Sequence, residues 1–498
     1  MQKKTSNKEN ATELNDTTIE VIHNINEWKV MQPRWNALVE QSISPSVFLT
    51  YEYLSAAWTT LSQKSLLHIL IINNGNNLLG IAPLKITLRK VCGIQTKTVE
   101  SLNALEKDFF IVLNNEHLFY EALAKYLYKN THLWHKIEFS HIQSDHPFLE
   151  VFRNTFSSCR GIILEEKENL VHTCVNISTT WEDYFLKLKP KFIKKLRNSV
   201  KDLCAHDTPR VIKISSPDKI LEYLKLYVEL EERSWKSNMK SGINRTEETF
   251  NTYRAILEAC AEKGWTEMTF LAVGSQLIAG GIHTIYKDDF VYLQTVYDHD
   301  LNRYNPGSLL MTINVQRAFE KGLKTIHFMG NYQEYKRNWS NYEWQSHNIC
   351  ARERLSGEGL AYYGSRWLKG LASPIYKLIW ERRRERVQME QLPPLKIDIE
   401  ALSKENIILE QNDIKKVFFM SHEESDKLED TVADSRQISR DEVERLIGER
   451  ARARQSREWQ RADEIRDQLS RKGIMIFDTG QGTNWKYSEA QLSSSGTD

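Results

Sequence analysis

The chain has 498 residues, a formal net charge of +1, 41% hydrophobic residues and 10% aromatics. That length divides into two to four globular domains, and the near-zero charge excludes a uniformly basic nucleic-acid binder, so any polyanion site must be a local patch. Six scattered cysteines (Cys92, Cys159, Cys174, Cys204, Cys260, Cys350) form no C-x-x-C pair and give no warrant for a metal site, and they suit a reducing compartment. The polar N-terminus lacks the apolar segment of a signal peptide, and no apolar run is long enough to span a bilayer; the expectation is a cytoplasmic protein.

Residues 1–17 lack apolar periodicity and read as a flexible arm. A strand is expected from Ile19, followed by helical patterns through Trp28, Trp35, Leu38 and Leu54–Trp58. His68–Ile72, the turn Asn73–Asn77 and Leu78–Leu84 form a hairpin signal. A helix near Leu118–Tyr128 and a strand at Ile137–Ser140 follow. Thr269–Val273, Leu277–Tyr286 and Phe290–Tyr297 repeat the strand-turn-strand theme. GNNLLGIAPL from Gly75 and GSQLIAGGIH from Gly274 share a turn glycine, two polar residues and an apolar strand, which points to two related α/β domains in tandem. Between them, apolar stripes at helical spacing from Trp181 to Leu203 are broken at Pro190 into two helices. Their other face carries Lys187, Lys191, Lys194, Lys195 and Lys201, a phosphate track or a solvated face. Beyond Leu355, residues 356–435 read as a linker containing a basic helix, and residues 489–498 as a disordered end.

Four stretches carry a resemblance: Phe48–Trp58, Arg233–Lys236, Tyr297–Asp298 through Pro306-Gly307, and Gly330–Trp339. Together they resemble the GNAT acyltransferase superfamily, in its two-domain branch of cellulose-biosynthesis-type acetyltransferases and Fem-type aminoacyltransferases. The resemblance implies an α/β (α+β) chain with tandem GNAT-like domains (residues 18–178 and 179–355) and mixed, mostly antiparallel sheets. It implies donor or acceptor contacts from Trp235, Lys236, Arg303, Asn305, Gly307, Tyr335, Lys336 and Trp339. Asp298 and His283 are candidates for the base or amine orienter, with Tyr297 beside them; a lone histidine on a strand also reads as structural, and tryptophan also reads as core. The superfamily holds acyl-CoA pyrophosphate on a Q/R-x-x-G-x-G/A loop at a helix N-terminus. Here that loop is Arg303-Tyr304-Asn305-Pro306-Gly307-Ser308, with proline and serine at two glycine positions. Proline lacks an N–H, which argues against the usual acyl-CoA mode, although the segment also reads as a plain turn.

Residues 436–488 are similar to the anticodon-binding end of cysteinyl-tRNA synthetases. The anchors are Leu446, Ile447, Arg450, Ala453 and Arg454, then Ala462, Asp463, Ile465, Arg466 and Leu469, then Gly473, Asp478, Thr479, Gly482, Thr483 and Trp485. A helical hairpin followed by a β-hairpin is expected. The resemblance assigns anticodon contacts to Arg454, Asp463 and Asp478; arginine pairs with guanine acceptors and carboxylates accept from the cytosine amine. Arg450, Arg457 and Arg466, with Lys191, Lys194 and Lys195 of the central helix, are candidates for tRNA phosphates. The ATP-handling H-x-G-H and K-M-S-K-S motifs are absent from the sequence, so self-charging of tRNA is not expected. The reading is an aminoacyl-tRNA-dependent aminoacyltransferase with cysteinyl-tRNA as co-substrate and no required cofactor or metal. Its acceptor would be an amine on a small molecule, peptide or cell-wall precursor. The alternatives are an acyl-CoA-dependent N- or O-acyltransferase with an accessory tail, and a non-catalytic tRNA-binding protein.

Overall fold

The computed structural model describes residues 16–91, 93–102, 109–157, 159–234, 236, 242–329, 334–364, 394–396, 407–419, 440–456, 461–462, 465–466, 469, 474–479 and 482–487. The expected arm through residue 15, the basic helix and the end after residue 488 lie outside them, as does Cys92. The chain divides into two compact units, Met1–Phe418 and Phe419–Asp498. Among the described residues, no helix is long and apolar enough to cross a membrane.

The first unit opens with β1 (Thr17–Ile22), α1 (Ile25–Val30), α2 (Gln32–Gln41) and α3 (Tyr51–Leu61). The hairpin β2 (Ser65–Asn74) and β3 (Asn77–Val91) turns at Gly75, whose φ of +55° is disfavoured for any side chain. Then come β4 (Ile94–Ser101), β5 (Ile111–Val112), α4 (Glu116–Lys129), β6 (Lys136–Gln143), α5 (Pro147–Phe156) and β7 (Ile162–Asn176). Pro190 does separate two helices, α6 (Trp181–Leu186) and α7 (Pro190–His206). The chain continues through β8 (Pro209–Ile214), α8 (Pro217–Glu232), α9 (Glu247–Ala261), β9 (Thr266–Val273), β10 (Gln276–Tyr286) and β11 (Asp289–Tyr297). It ends with α10 (Pro306–Glu320), β12 (Thr325–Phe328), β13 (Tyr342–Glu353), β14 (Ile407–Leu409) and α11 (Gln411–Phe418). The stretch read as a linker therefore supplies an edge strand, β14 on β8, and a helix whose Phe418 carbonyl accepts from Arg197 Nε at 2.9 Å.

One mixed, mostly antiparallel sheet of 14 strands runs β1-β2-β3-β4-β6-β13-β7-β12-β11-β10-β9-β8-β14, with β5 on β3. The order is nearly palindromic. The two parallel pairs, β4 with β6 and β11 with β12, are each joined by a crossover helix, α4 and α10. Both helices are entered through a left-handed asparagine, Asn115 at φ 41° and Asn305 at φ 49°. The hairpins β2–β3 and β9–β10 turn at Gly75 and Gly274, with φ of +55° and +53°. The tandem repeat expected from the glycine echo is present. What the sequence did not disclose is a strand exchange. The last strand of the first half, β7, pairs with β12 of the second, while β13 pairs with both β7 and β6. This exchange fuses the halves into a single sheet.

Helices cover both faces. Trp28, Trp35, Phe48 and Leu54 are fully buried with the β9–β11 side chains. The pseudo-equivalent helices α3 and α9 meet at Thr60 and Thr252, whose hydroxyls lie 2.7 Å apart. Phe119, Phe139, Phe148 and Phe152 form a second core beneath α4 and α5. In the second unit, α12 (Arg440–Gln455) buries Val443 and Leu446 against Ile465 and Leu469, and β15 (Ile474–Thr479) pairs antiparallel with β16 (Gly482–Tyr487). Both the helical element and the expected β-hairpin are present.

Candidate active site

β11 and β12 pair only over Asp289–Tyr292 and Thr325–Phe328. β12 ends at Phe328, and beyond Tyr292 β11 continues without it as a neighbour. A cavity of 560 Å³ opens there, beside the C-terminal end of β12 and the C-terminal half of β11. Its walls are Leu293, Gln294, Thr295 and Tyr297 of β11, the first turn of α10, Phe328 and Met329, and Tyr335 with Lys336.

Three lysines line it: Lys195 from α7, Lys236 after α8, and Lys336. Lys236 is buried; its Nζ donates to Glu231 Oε1 at 3.1 Å and to Gln294 Oε1 at 2.7 Å. Burial pulls its pKa down, and the Glu231 carboxylate opposes that. Glu231 Oε2 also accepts from the Ile243 amide at 2.6 Å, and a Cβ on Gly242 would stand 2.3 Å from that oxygen. Gln294 in turn donates from Nε2 to the Tyr253 hydroxyl at 2.8 Å. Lys336 Nζ donates to the Met329 carbonyl at 2.6 Å. Burial raises the pKa of Tyr297, and it pushes Tyr335 up to about 12, with Tyr297 adding to the rise, so both phenols stay protonated at neutral pH.

The first turn of α10 is a poor phosphate cradle. Pro306 has no N–H, and the Ser308 amide is turned to the Asn305 carbonyl at 3.0 Å. Of that turn, Gly307 keeps its amide for an anion. Tyr297 packs over Gly307, where a Cβ would come within 3.0 Å of the ring. Asn305 is held in its left-handed geometry by Nδ2 donating to Ser199 Oγ at 2.8 Å.

The cavity thus gathers Lys236, Tyr297, Asn305, Gly307, Tyr335 and Lys336, together with Lys195, which the sequence placed on a separate track. It does not gather the other described candidates, His283, Asp298, Arg303 and Trp339. His283 is fully buried, its Nε2 bonded to Thr269 Oγ1 at 2.7 Å, and burial drives its pKa down to about 3. It stands in the core as a neutral imidazole, away from the cavity wall. Asp298 is buried and caps the short turn that follows, Oδ1 accepting from the Asp300 amide at 3.0 Å; burial raises its pKa. Arg303 lies over the Tyr304 ring at 4.6 Å. Trp339 is a packing wedge behind the wall, its Nε1 donating to Thr312 Oγ1 at 3.0 Å and its ring edge-on to Phe192. Trp235 lies outside the described residues. Sequence reasoning missed Glu231, Gln294 and Tyr253, which hold Lys236; the spacing of Glu231 and Lys236, five apart around a helix end, was the available signal.

In the second unit, Arg454 lies on α12 and Asp478 on β15, while Asp463 and Arg457 fall outside the described residues. Arg466 is exposed; Arg450 is buried, which removes its side chain from the solvent face. On α7, Lys191, Lys194 and Lys195 are exposed along the face that reaches the cavity.

Residues 190–337 match the family model of the acetyltransferase (GNAT) domain, so the chain carries an acyltransferase domain of that class. Residues 440–485 match the cysteinyl-tRNA ligase anticodon binding domain. Cysteine–tRNA ligase of Geobacter metallireducens is 50% identical over 62 residues, 12% of this chain and 13% of the ligase. That of Geotalea daltonii is 47% identical over 60 residues, 12% of each. The chain therefore spans about an eighth of the length of these curated relatives. Among solved structures, FemX aligns with a TM-score of 0.47 and 10% identity over 66% of this chain and 96% of FemX.

Proposed function

We propose that the protein is an aminoacyl-tRNA-dependent aminoacyltransferase whose donor is cysteinyl-tRNA and whose acceptor is an amine. The first turn of α10 carries the reading: with no N–H at Pro306 and the Ser308 amide turned inward, it offers a pyrophosphate less of the backbone cradle that acyl-CoA needs. The exposed Lys195 stands at the same cavity, and a side-chain cation there suits the terminal phosphates of an RNA 3′ end. α7 supports this. Its first turn carries Lys191 and no acid, the reverse of what a helix dipole favours. A partner that brings negative charge would relieve that conflict. The match at residues 440–485 supplies a domain class suited to the far end of the same tRNA.

In the reaction, the neutral amine attacks the ester carbonyl of the cysteinyl group. The new C–N bond forms, the C–O bond to the terminal ribose breaks, and the amine's proton passes to the departing ribose oxygen. The ester is already activated, so the site supplies mainly proximity and charge. Tyr297 and Tyr335, kept protonated by burial, are the donors suited to the leaving oxygen. The acetyltransferase-domain match favours acyl-CoA as the alternative donor. The reading is tested by sequencing the RNA that co-purifies with the protein. Enrichment of cysteine tRNA is expected; bulk tRNA in cellular proportions would overturn the choice of donor.

A further inference from the structure

The near-palindromic sheet has a second consequence. At the position in the first half equivalent to the donor cleft, by the C-terminal end of β6 and the first turn of α4, lies a separate cavity of 250 Å³. It has room for about eight water-sized groups at ~30 Å³ each, so its ligand is small. The matching of the two left-handed asparagines sets the register between the crossover helices. Asn115 corresponds to Asn305, and so Glu116 stands where the donor cleft has Pro306.

That exchange reverses the charge of the site. Glu116 lines the cavity, and no lysine or arginine is among the described residues that line it. Glu116 stands in the first turn of α4, where the helix dipole favours an acidic side chain. Tyr120 braces it, its hydroxyl donating to Glu116 Oε1 at 3.0 Å. His146, with Nδ1 accepting from the Phe148 amide at 3.3 Å, presents Nε2 to the Tyr120 hydroxyl at 3.5 Å. The rest of the wall is partly aromatic, with Phe109, Phe110 and Trp344, the last stacked on His172 at 4.0 Å, beside aliphatic Ile43, Val112 and Ile142 and polar Ser44 and Gln143. At the rim, His141 is held at φ +64° in a register break of the sheet, its amide fixed by Asn348 Oδ1 at 3.0 Å. A carboxylate at the end of a donor chain, with aromatic rings among its neighbours in the wall, recognises a cation through Coulomb attraction and ring quadrupoles together.

We propose that this cavity is a second ligand site, selective for a small organic ammonium ion paired with Glu116. It does not depend on the identity of the acyl donor. The test is calorimetric titration of the full-length protein with butylammonium, tetramethylammonium, butyrate and butanol. Both ammonium ions should bind, with butyrate and butanol at least tenfold weaker. Glu116→Gln, an isosteric change at a partly exposed first-turn position, should weaken butylammonium at least tenfold while the variant stays folded, with a Tm only slightly lower from the lost helix-dipole interaction. Should that variant misfold, the wild-type ligand series still decides: equal binding of butanol and butylammonium, or binding of neither, overturns the proposal. Undiminished binding to a folded Glu116→Gln variant overturns it as well.

Discussion

Replacing Glu231 by glutamine tests the cleft's internal support. The side chain is buried and bonds both Lys236 Nζ at 3.1 Å and the Ile243 amide at 2.6 Å. Glutamine can still accept from one donor, but the charge that balances Lys236 disappears. Breaking a buried ion pair from one side costs about 3–5 kcal/mol. Deprotonating Lys236 sets a ceiling. From an ordinary value near 10.4, that costs ~4.6 kcal/mol at pH 7, and burial, by lowering the pKa, reduces it. Glu231→Gln and Lys236→Met should therefore each lose ~3 kcal/mol in urea unfolding. The double variant should lose much less than their sum, with a coupling of about 2 kcal/mol or more. Additivity within ~0.5 kcal/mol would show that the two side chains do not support one another, and would refute the argument.

Three further outcomes follow from other parts of the molecule. Glu267 is buried beside Arg317 (2.7 Å) and Lys321; burial alone would raise its pKa, but Arg317 and Lys321 together outweigh that and hold it at about 2. Because the folded value lies below the unfolded one, this contribution is complete above about pH 4.3 and drains away as pH falls toward 2. It amounts to ~3 kcal/mol, and Glu267→Gln should flatten that part of the pH–stability curve. Substituting Lys191, Lys194 and Lys195 together by alanine should weaken tRNA binding and make its salt dependence shallower by about 2 units, measured by filter binding at several salt concentrations. Arg454→Ala should cost about 1–3 kcal/mol in binding cysteine tRNA while sparing unrelated tRNAs; equal loss across tRNAs would reduce the contact to phosphate alone.

Much of the architecture was legible because it is local. Gly75 and Gly274 mark turns that need positive φ, and Pro190 must break a helix; both signals sit in a few adjacent residues. The exchange of β7 and β13 was not legible, since either strand's pattern suits either neighbour and only long-range pairing decides. The same holds at the site. Pro306 and Gly307 announce a loop by residue type, whereas the carboxylate that holds Lys236 lies one helix end away and carries no motif. His283 misled because a histidine on a strand reads alike whether it faces a cavity or, as here, Thr269 and Asn314 in the core. The left-handed asparagines that align the halves, Asn115 and Asn305, are ordinary residues in sequence and become informative only through φ.

The most direct test of the donor assignment is transfer itself. Purified protein is given cysteinyl-tRNA labelled in the cysteine, or labelled acetyl-CoA, with a pool of candidate amines. Label is expected to move from the tRNA into an amide product, and ribonuclease pretreatment to abolish transfer. Transfer from acetyl-CoA alone, unaffected by ribonuclease, would contradict it.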